Sequence, residues 1–562
     1  MLNRFTSFRK ALFLLLCCEV FMLMVMSGCK KGKGTETVPT ETTLSFVVND
    51  LYNGTLVYKN LNVKPVIKFN FTEAIRTSTA ADGFKLTSAS GAVIALTVSF
   101  QNMDKTIVIT PQQDLPGLTA YTLSATDRLK TTSGGGLINP VNISLTTGID
   151  GKDKFPRISD EALLDLVQKQ TLKYFYDFGH PVSGLARERS TSGETVTTGG
   201  SGFGIMAMIA GAHRGFISRT EALSRIQKIV TFLNTKADRF HGAFPHWLNG
   251  STGNVQPFSA NDNGADLVET AFLLQGLLTA RQYFDGALAG EMALRADINA
   301  IWNAVEWDWF RQGGQNVLYW HWSPDKGWAM NLKISGWNEA LIVYVLAASS
   351  PTSAIPKSVY DNGWAQNGNM KNGNPYYGIL LPLGTANGGP LFFEHYSFLG
   401  LNPLGLTDAY ANYEIQTKNH TLINRAYGIA NPKGFPNYGA DCWGLTASDT
   451  YNGYTASSPG NDNGTIAPTA ALASMPYTPE ESMQALRFFY YKLGDKIWGE
   501  YGFNDAFNLS QNWFDNQALA IDQGPIVVML ENYRSKLLWN LFMSAPEIKN
   551  GLQKLGFSGP NL

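Results

Sequence analysis

Carboxylates set in apolar or aromatic surroundings are the residues of this chain best suited to chemistry. Asn261-Asp-Asn-Gly-Ala-Asp-Leu-Val-Glu269 opens an otherwise apolar helix that runs on to Arg281. Asp262, Asp266 and Glu269 stand at i, i+4 and i+7, so on a helix they would share one face, spread over roughly 10 Å. Capping and the helix dipole account for Asp262 and in part for Asp266. They account less well for Glu269 among Leu, Val, Ala and Phe, where a carboxyl group is either solvated in a cleft or raised in pKa. Glu339 repeats the theme in Ile334-Ser-Gly-Trp-Asn-Glu339, at the start of an apolar helix and flanked by Trp337 and Asn338. A first-turn acid is its structural alternative. Asp522, in Leu519-Ala-Ile-Asp-Gln-Gly-Pro-Ile526, stands before a helix, where N-capping is the alternative role. Glu394 beside His395, Asp449, Asp462 and Asp505 complete the set, several of them in loops with aromatic neighbours. Groups of this kind support a reaction in which one carboxylic acid protonates a leaving oxygen while a second carboxylate acts on water or on the reacting carbon.

Other chemistries find less support. The seven histidines are scattered and no His-Glu-x-x-His is present, so neither a metal nor a cofactor is expected. His246, His321 and His395 each sit beside aromatics and read as hydrogen-bonding loop residues, with a sugar contact as the other reading. Cys442, next to Trp443, reads as a packed thiol. Gly199-Gly-Ser-Gly-Phe-Gly204 lacks the preceding strand and following Lys of a phosphate loop, which leaves close backbone approach at a helix start. Lys and Arg number 44 against 45 Asp and Glu, for a net charge of -1, so the basic footprint of a nucleic-acid binder is missing. Many of the 13 Trp, 23 Tyr and 32 Phe lie in polar stretches, among them Pro245-His-Trp247 and Tyr319-Trp-His-Trp322. Flat aromatic faces beside amides and carboxylates suit sugar rings, which directs the paired carboxylates to a glycosidic bond. Trp247, Trp322, Trp337 and Trp443 are the stacking candidates, with burial in the core as the alternative for each.

The elements that must position these groups fall into two textures. Residues 1–28 read as a secretory leader: Arg4, Arg9 and Lys10, then an apolar run from Leu12 to Met26. Met26-Ser-Gly-Cys29 resembles a lipobox, which makes Cys29 a lipidation site, residues 29–41 a polar tether, and the bacterial cell envelope the expected location, on its periplasmic or outer face. An ordinary signal peptide or an anchor helix is the alternative. From 42 to 149 short alternating runs such as Thr106-Ile-Val-Ile-Thr110 recur between turn residues, the pattern of an all-β sandwich, here similar to a bacterial Ig-like module. Beyond a linker at 148–156 the chain turns helical, with candidates at 159–178, 200–215, 218–237, 264–283, 286–305, 335–349, 407–429, 479–494, 524–541 and 545–555. Ser218-Arg-Thr-Glu221 is a capping box and Pro479 a helix start. Long loops rich in Gly, Asn and aromatics join these helices, as expected where a scaffold carries a site. The multidomain reading is therefore a sandwich followed by an all-α toroid; no fixed-period repeat supports a solenoid.

Residues 157–557 resemble the bacterial glycoamylase-like domain, a group that includes glycoside hydrolase family 144, whose members act on β-1,2-glucans. The matching segments are Tyr174–Arg189, Gly199–Gly204, Asn263–Glu269, Gly336–Glu339, Cys442–Asp449, Gly464–Ala470, Ile521–Ile526 and Glu531–Ser535. As a set, in this order, they are specific. The resemblance implies an (α/α)6 toroid and an inverting endo-β-1,2-glucanase or close relative, with a glucan as partner and a monomer as the working unit. It makes Glu339 the general-acid candidate and Asp522 the first candidate for the base, with Asp505 and Asp449 behind it. Asp262, Asp266, Glu269, Arg187, Trp337, Asn338, Glu394, His395, Trp443 and Asp449 are the expected substrate contacts. Glucoamylase-type action on another linkage, a non-catalytic glycan-binding lipoprotein and a polysaccharide lyase are the alternatives; the last wants a basic groove, and the motif loops offer only Arg187 and Arg189.

Overall fold

The computed structural model describes residues 38–562, so the leader and Cys29 lie outside the described residues. The N-terminal part is a two-sheet sandwich. Strands β1 (Leu44–Val48), β3 (Ile67–Phe71), β7 (Thr106–Pro111) and β6 (Leu96–Gln101) pair in that order. The facing sheet runs β2 (Val57–Leu61), β9 (Val141–Thr147), β8 (Ala120–Ala125), β4 (Phe84–Ser88), β5 (Val93–Ile94). Period-two alternation sends Phe69, Ile107, Ile109, Leu123 and Ile143 inward, each fully buried, and this shared layer holds the sheets together. The linker that follows is docked: Lys154 donates its backbone N–H to the Tyr491 carbonyl at 2.7 Å, and Phe155 stacks on Tyr490 at 4.7 Å.

The helical part contains α1 (Asp160–Tyr176), α2 (Thr198–His213), α3 (Arg219–Thr235), α4 (Leu267–Tyr283), α5 (Ala289–Ala304), α6 (Leu341–Ser349), α7 (Tyr413–Ala430), α8 (Pro468–Leu472), α9 (Pro479–Ile497), α10 (Ala520–Ser535), α11 (Leu537–Met543) and α12 (Pro546–Leu555). Burial sorts most of them into two rings. Nearly every residue of α2, α4, α6, α8 and α10 is buried on all sides. Helices α3, α5, α7, α9 and α12 bury one face and keep the other polar. A helix apolar all round must be enclosed, and an amphipathic one must cover it, which is the inner and outer ring of an α/α toroid. Ser218 and Glu221 close the capping box at the start of α3.

The glycine run at 199–204 serves packing. A Cβ on Gly202 would collide with the Phe272 carbonyl, and one on Gly276 with the Gly202 carbonyl, so α2 and α4 cross on bare backbone. Three of the helix starts that differ from the sequence reading bear on the candidate carboxylates. Helix α4 begins at Leu267, so Asp262 is in a loop, Asp266 is the N-cap and only Glu269 is helical; the three carboxylates share no helix face. Helix α6 begins at Leu341, which leaves Glu339 on a turn instead of in a first turn of helix. Helix α10 begins at Ala520 and carries Pro525 inside, so Asp522 lies within its first turn and does not cap it. Pro525 is the sixth residue of the helix and has no N–H to give the Ile521 carbonyl one turn earlier. Among the described residues no helix is long and apolar enough to cross a membrane.

Candidate active site

The loops that enter α2, α4, α6 and α10 converge on a cavity of about 430 Å³. Glu269 and Glu339 reach its wall, with Arg189, Trp247, Trp320 and Tyr454 around them. A surface groove beside Asp160 and Arg487 is larger, about 560 Å³, but it is open and its one lining arginine, Arg487, is paired with Asp160.

On one side of the cavity an Asp–His cluster fixes the entry to α4. Asp266, fully buried, accepts from the backbone N–H groups of Val268 (3.0 Å) and Glu269 (2.9 Å) through Oδ1. Its Oδ2 accepts from His246 Nδ1 at 3.0 Å and lies 3.6 Å from His321 Nε2, which is also 3.4 Å from Asp262. Burial alone would raise the Asp266 pKa, but the hydrogen bonds to His246 and His321 outweigh it and hold the group well below the usual carboxylate range. Burial likewise opposes a charge on His246, yet Glu269 and Asp266 together push it up to about 9. Asp262 is raised to about 6 by burial and by Asp266. Glu269 is raised by burial, although it accepts from the Gly199 N–H at 2.7 Å. Phe258 stacks on the His246 ring at 4.3 Å and closes the cluster from outside.

Glu339 stands on the turn Gly336–Ala340. Gly336 needs its positive φ of 78°, Asn338 Oδ1 accepts from Ala340 N–H at 2.9 Å, and the Glu339 carbonyl accepts from Ser397 Oγ at 2.5 Å. The Glu339 side chain lines the cavity, its carboxyl group accepting only from its own backbone N–H. Burial, with the negative charges of Asp266 and Glu269 added, pushes its pKa up to about 7. A carboxyl that is half protonated near neutrality is suited to general-acid work.

Behind one wall of the cavity lies a second acidic group. Leu519 and Ile521 line that wall, and Asp522, the residue after Ile521, is buried beside Asp505. Asp505 Oδ2 accepts from the Asp449 N–H at 2.6 Å, and Arg189 bridges Glu188 (2.9 Å) and Asp449 (2.7 Å). Burial raises both Asp505 and Asp522; Asp522 raises Asp505 further, while Asp522 is held at about 7 by burial and the charge of Asp449 against the hydrogen bond it makes with Asp505, so the pair retains a shared proton that a lone exposed aspartate would lose. Ligand atoms of His246, Asp262 and Asp266 lie within 4.8 Å of one another, as do those of Asp449, Asp505 and Asp515. The first set is held together by imidazole–carboxylate hydrogen bonds and the second by Arg189, backbone N–H groups and shared protons.

Several expected substrate contacts are placed elsewhere. Trp337 is 7% exposed and gives its indole N–H to Glu394, itself fully buried. His395 is buried against Ser474, and burial pushes its pKa down to about 3. Trp443 is enclosed in a core cluster with Cys442, whose thiol burial raises. Asn338 caps its own turn, and Arg187 lies over the Phe178 ring at 4.6 Å while its neighbour Arg189 lines the cavity. A side chain enclosed by packing has no face left for a sugar. Trp322 is packed against Trp309 and His241; Trp320 is the ring at the cavity. Sequence reading missed Trp320, Tyr396 and Tyr454. Tyr454 comes from the hairpin Ala447–Ala456, whose Gly453 turn was the only local signal.

The fold and the site define a class: a helical toroid with an aromatic cavity walled by Glu269 and Glu339, with a second set of carboxylates buried behind Leu519 and Ile521. Comparison with known proteins is consistent with that class. The Glycoamylase family model, described as "Putative glucoamylase", matches residues 331–546, and the bacterial Ig-like domain model matches residues 52–147. An endo-β-1,2-glucanase of Chitinophaga pinensis, solved with sophorotriose and glucose, is 54% identical, with a TM-score of 0.71 over 72% of this chain and 100% of that one. A β-1,2-glucanase of Parabacteroides distasonis is 41% identical, with a TM-score of 0.69 over 89% of this chain and 72% of that one. The chain is 50% identical over 420 residues to an exo β-1,2-glucooligosaccharide sophorohydrolase (non-reducing end) of Parabacteroides distasonis, covering 71% of this chain. It spans 58% of the length of that curated relative. The chain belongs to the glycoamylase-like family and carries a bacterial Ig-like domain ahead of its toroid.

Proposed function

We propose that the protein hydrolyses β-1,2-linked glucan with inversion at the anomeric carbon. The observation that carries the proposal is Glu339, a carboxyl group on the cavity wall poised near neutrality, in a cavity whose Leu519–Ile521 wall is backed by the buried Asp505–Asp522 pair. The 50% identity to a sophorohydrolase and 54% identity to an endo-β-1,2-glucanase support the linkage. Glu339 gives its proton to the glycosidic oxygen as the C–O bond breaks. Asp522, with Asp505 holding the shared proton, takes a proton from the water whose oxygen bonds to the anomeric carbon from the opposite face. Glu269 faces the sugar, while Asp262 and Asp266 hold His246 and His321 in place. Tyr454, Trp247 and Trp320 offer the ring contacts. Endo cleavage is our first reading, and the identity to an exo-acting relative supports release of sophorose as the second.

The test is reducing-end release by the protein truncated after Cys29, on linear β-1,2-, β-1,3- and α-1,4-glucans, with product lengths resolved by chromatography. Activity confined to the β-1,2-glucan is expected. Activity on α-1,4-glucan alone would overturn the substrate, and glucan binding without hydrolysis would favour a binding lipoprotein. A mixed ladder of products marks endo action, and sophorose alone marks exo action. We further propose, from the lipobox, that Cys29 anchors a monomeric protein in the cell envelope; incorporation of labelled fatty acid that survives Cys29→Ser would refute it.

A further inference from the structure

Glu394 lies in a part of the toroid that the mechanism does not use. It is fully buried and lines no part of the cavity, although Phe392 and Tyr396 on either side of it do. Its Oε1 accepts three hydrogen bonds: from Trp337 Nε1 (2.8 Å), Gln416 Nε2 (2.8 Å) and His420 Nδ1 (2.7 Å). His420, also fully buried, has its other ring nitrogen 2.9 Å from the Gly389 carbonyl, so this carboxylate is gripped from α7. A buried carboxylate is a poor stabilising device compared with a packed apolar side chain, because its desolvation offsets the bonds it makes. What it can supply is a fixed register, and the element it registers here carries Glu339. Trp337 is two residues before Glu339, and its ring is wedged between Trp364, Tyr413 and Phe398. Ser397, three residues after Glu394, donates to the Glu339 carbonyl and accepts from the Ile342 N–H. Tyr477 in turn holds the Glu394 carbonyl at 2.8 Å. One short segment, 394–397, therefore grips the Glu339 turn on both sides of the reacting side chain.

We propose that Glu394 is a positioning residue for the general acid, acting through the Trp337 indole N–H to hold the turn that aims Glu339 into the cavity. The proposal rests on the reading of Glu339 as the acid. Loss of the linkage lets the turn drift, and a displacement of about 1 Å in a reacting group costs on the order of a hundredfold in rate.

Glu394→Gln and Trp337→Phe are compared with wild type and Glu339→Gln on β-1,2-glucan. Each positioning variant is expected to lower kcat on the order of a hundredfold, to leave KM within about threefold, and to move the alkaline limb of the kcat profile to lower pH as the acid gains solvent. The double variant is expected to lose no more than the worse single one, because both act through one bond. Trp337→Phe keeps an aromatic ring in the wedge while removing the N–H and one of the two fused rings, and it supplies the folded variant, read by its alkaline limb, if Glu394→Gln fails to fold. Folded variants with kcat and alkaline limb within about twofold of wild type would overturn the positioning role. A Glu339→Gln enzyme at wild-type rate would instead overturn the acid assignment itself, whatever the other two variants do.

Discussion

Replacing Glu339 with Gln removes one ionisable proton and changes almost nothing in shape. The wild-type carboxyl group is raised from 4.5 to about 7 by burial and by the charges of Asp266 and Glu269. At pH 7 an ordinary glutamate would be protonated about once in 300 molecules, whereas this one is protonated about half the time, a gain of roughly 150-fold in usable acid. General-acid catalysis by a placed side chain contributes typically 10²–10⁴-fold, so Glu339→Gln is expected to lower kcat on β-1,2-glucan by about that factor. Because the variant keeps the shape and polarity of the site, KM should change little. The wild-type kcat should fall as pH rises through about 7, and the residual activity of the variant should lose that limb. The assay is initial-rate reducing-end release from pH 4 to 9, with circular dichroism to verify folding. A variant within about tenfold of wild type at pH 6, or one that keeps the alkaline limb, would show that the proton comes from elsewhere.

Asp266→Ala removes both the cap of α4 and the anion that His246 and His321 share, and breaking such a buried pair is expected to cost about 3–5 kcal/mol in chemical denaturation. Asp266→Asn, which keeps the cap acceptor, should lose less, and an equal loss for both would refute the electrostatic part. Gly202→Ala forces a methyl group into the Phe272 carbonyl and should cost about 1–3 kcal/mol, whereas Gly215→Ala, with open space around its Cβ but a positive φ, should cost no more than about 1–2 kcal/mol. Stability should also depend on pH with a definite sign. His246 rises from 6.5 to about 9, and Glu339 and Asp522 rise to about 7 from 4.5 and 3.8, so the folded state holds these protons more tightly than the unfolded chain. Their contribution is complete below the unfolded pKa values and is lost as pH rises through the folded ones. Asp266, depressed in the fold, works the other way, but its contribution is already complete above about pH 5. The melting temperature should therefore fall between pH 5 and pH 9, and a flat or rising profile would refute the shifts.

The two-part architecture was legible in the chain because periodicity is a local property. Alternation with a period of two between 42 and 149 can bury one face only as a sheet, and the long apolar helices beyond 157 can be enclosed only by other helices. The residues that open the inner helices, Glu269, Glu339 and Asp522, were picked out for the same reason: a carboxylate beside apolar neighbours is conspicuous in any window of sequence. What each does with its neighbours was not in the window. Asp266 and Glu269 look alike on a helical wheel, yet one caps α4 and clamps two imidazoles while the other faces the cavity, because α4 starts at Leu267 and the incoming loop turns away from the helix axis. Glu394 and Trp337 looked like ligand contacts and are buried partners of each other, while Trp320 and Tyr454 reach the cavity from loops with no distinguishing spacing. Composition and periodicity depend on nearest neighbours along the chain, and they determine which segments become helix or strand. Exposure, charge pairing and the meeting of residues 246, 269 and 339 at one cavity depend on how those segments pack, which only the tertiary structure decides.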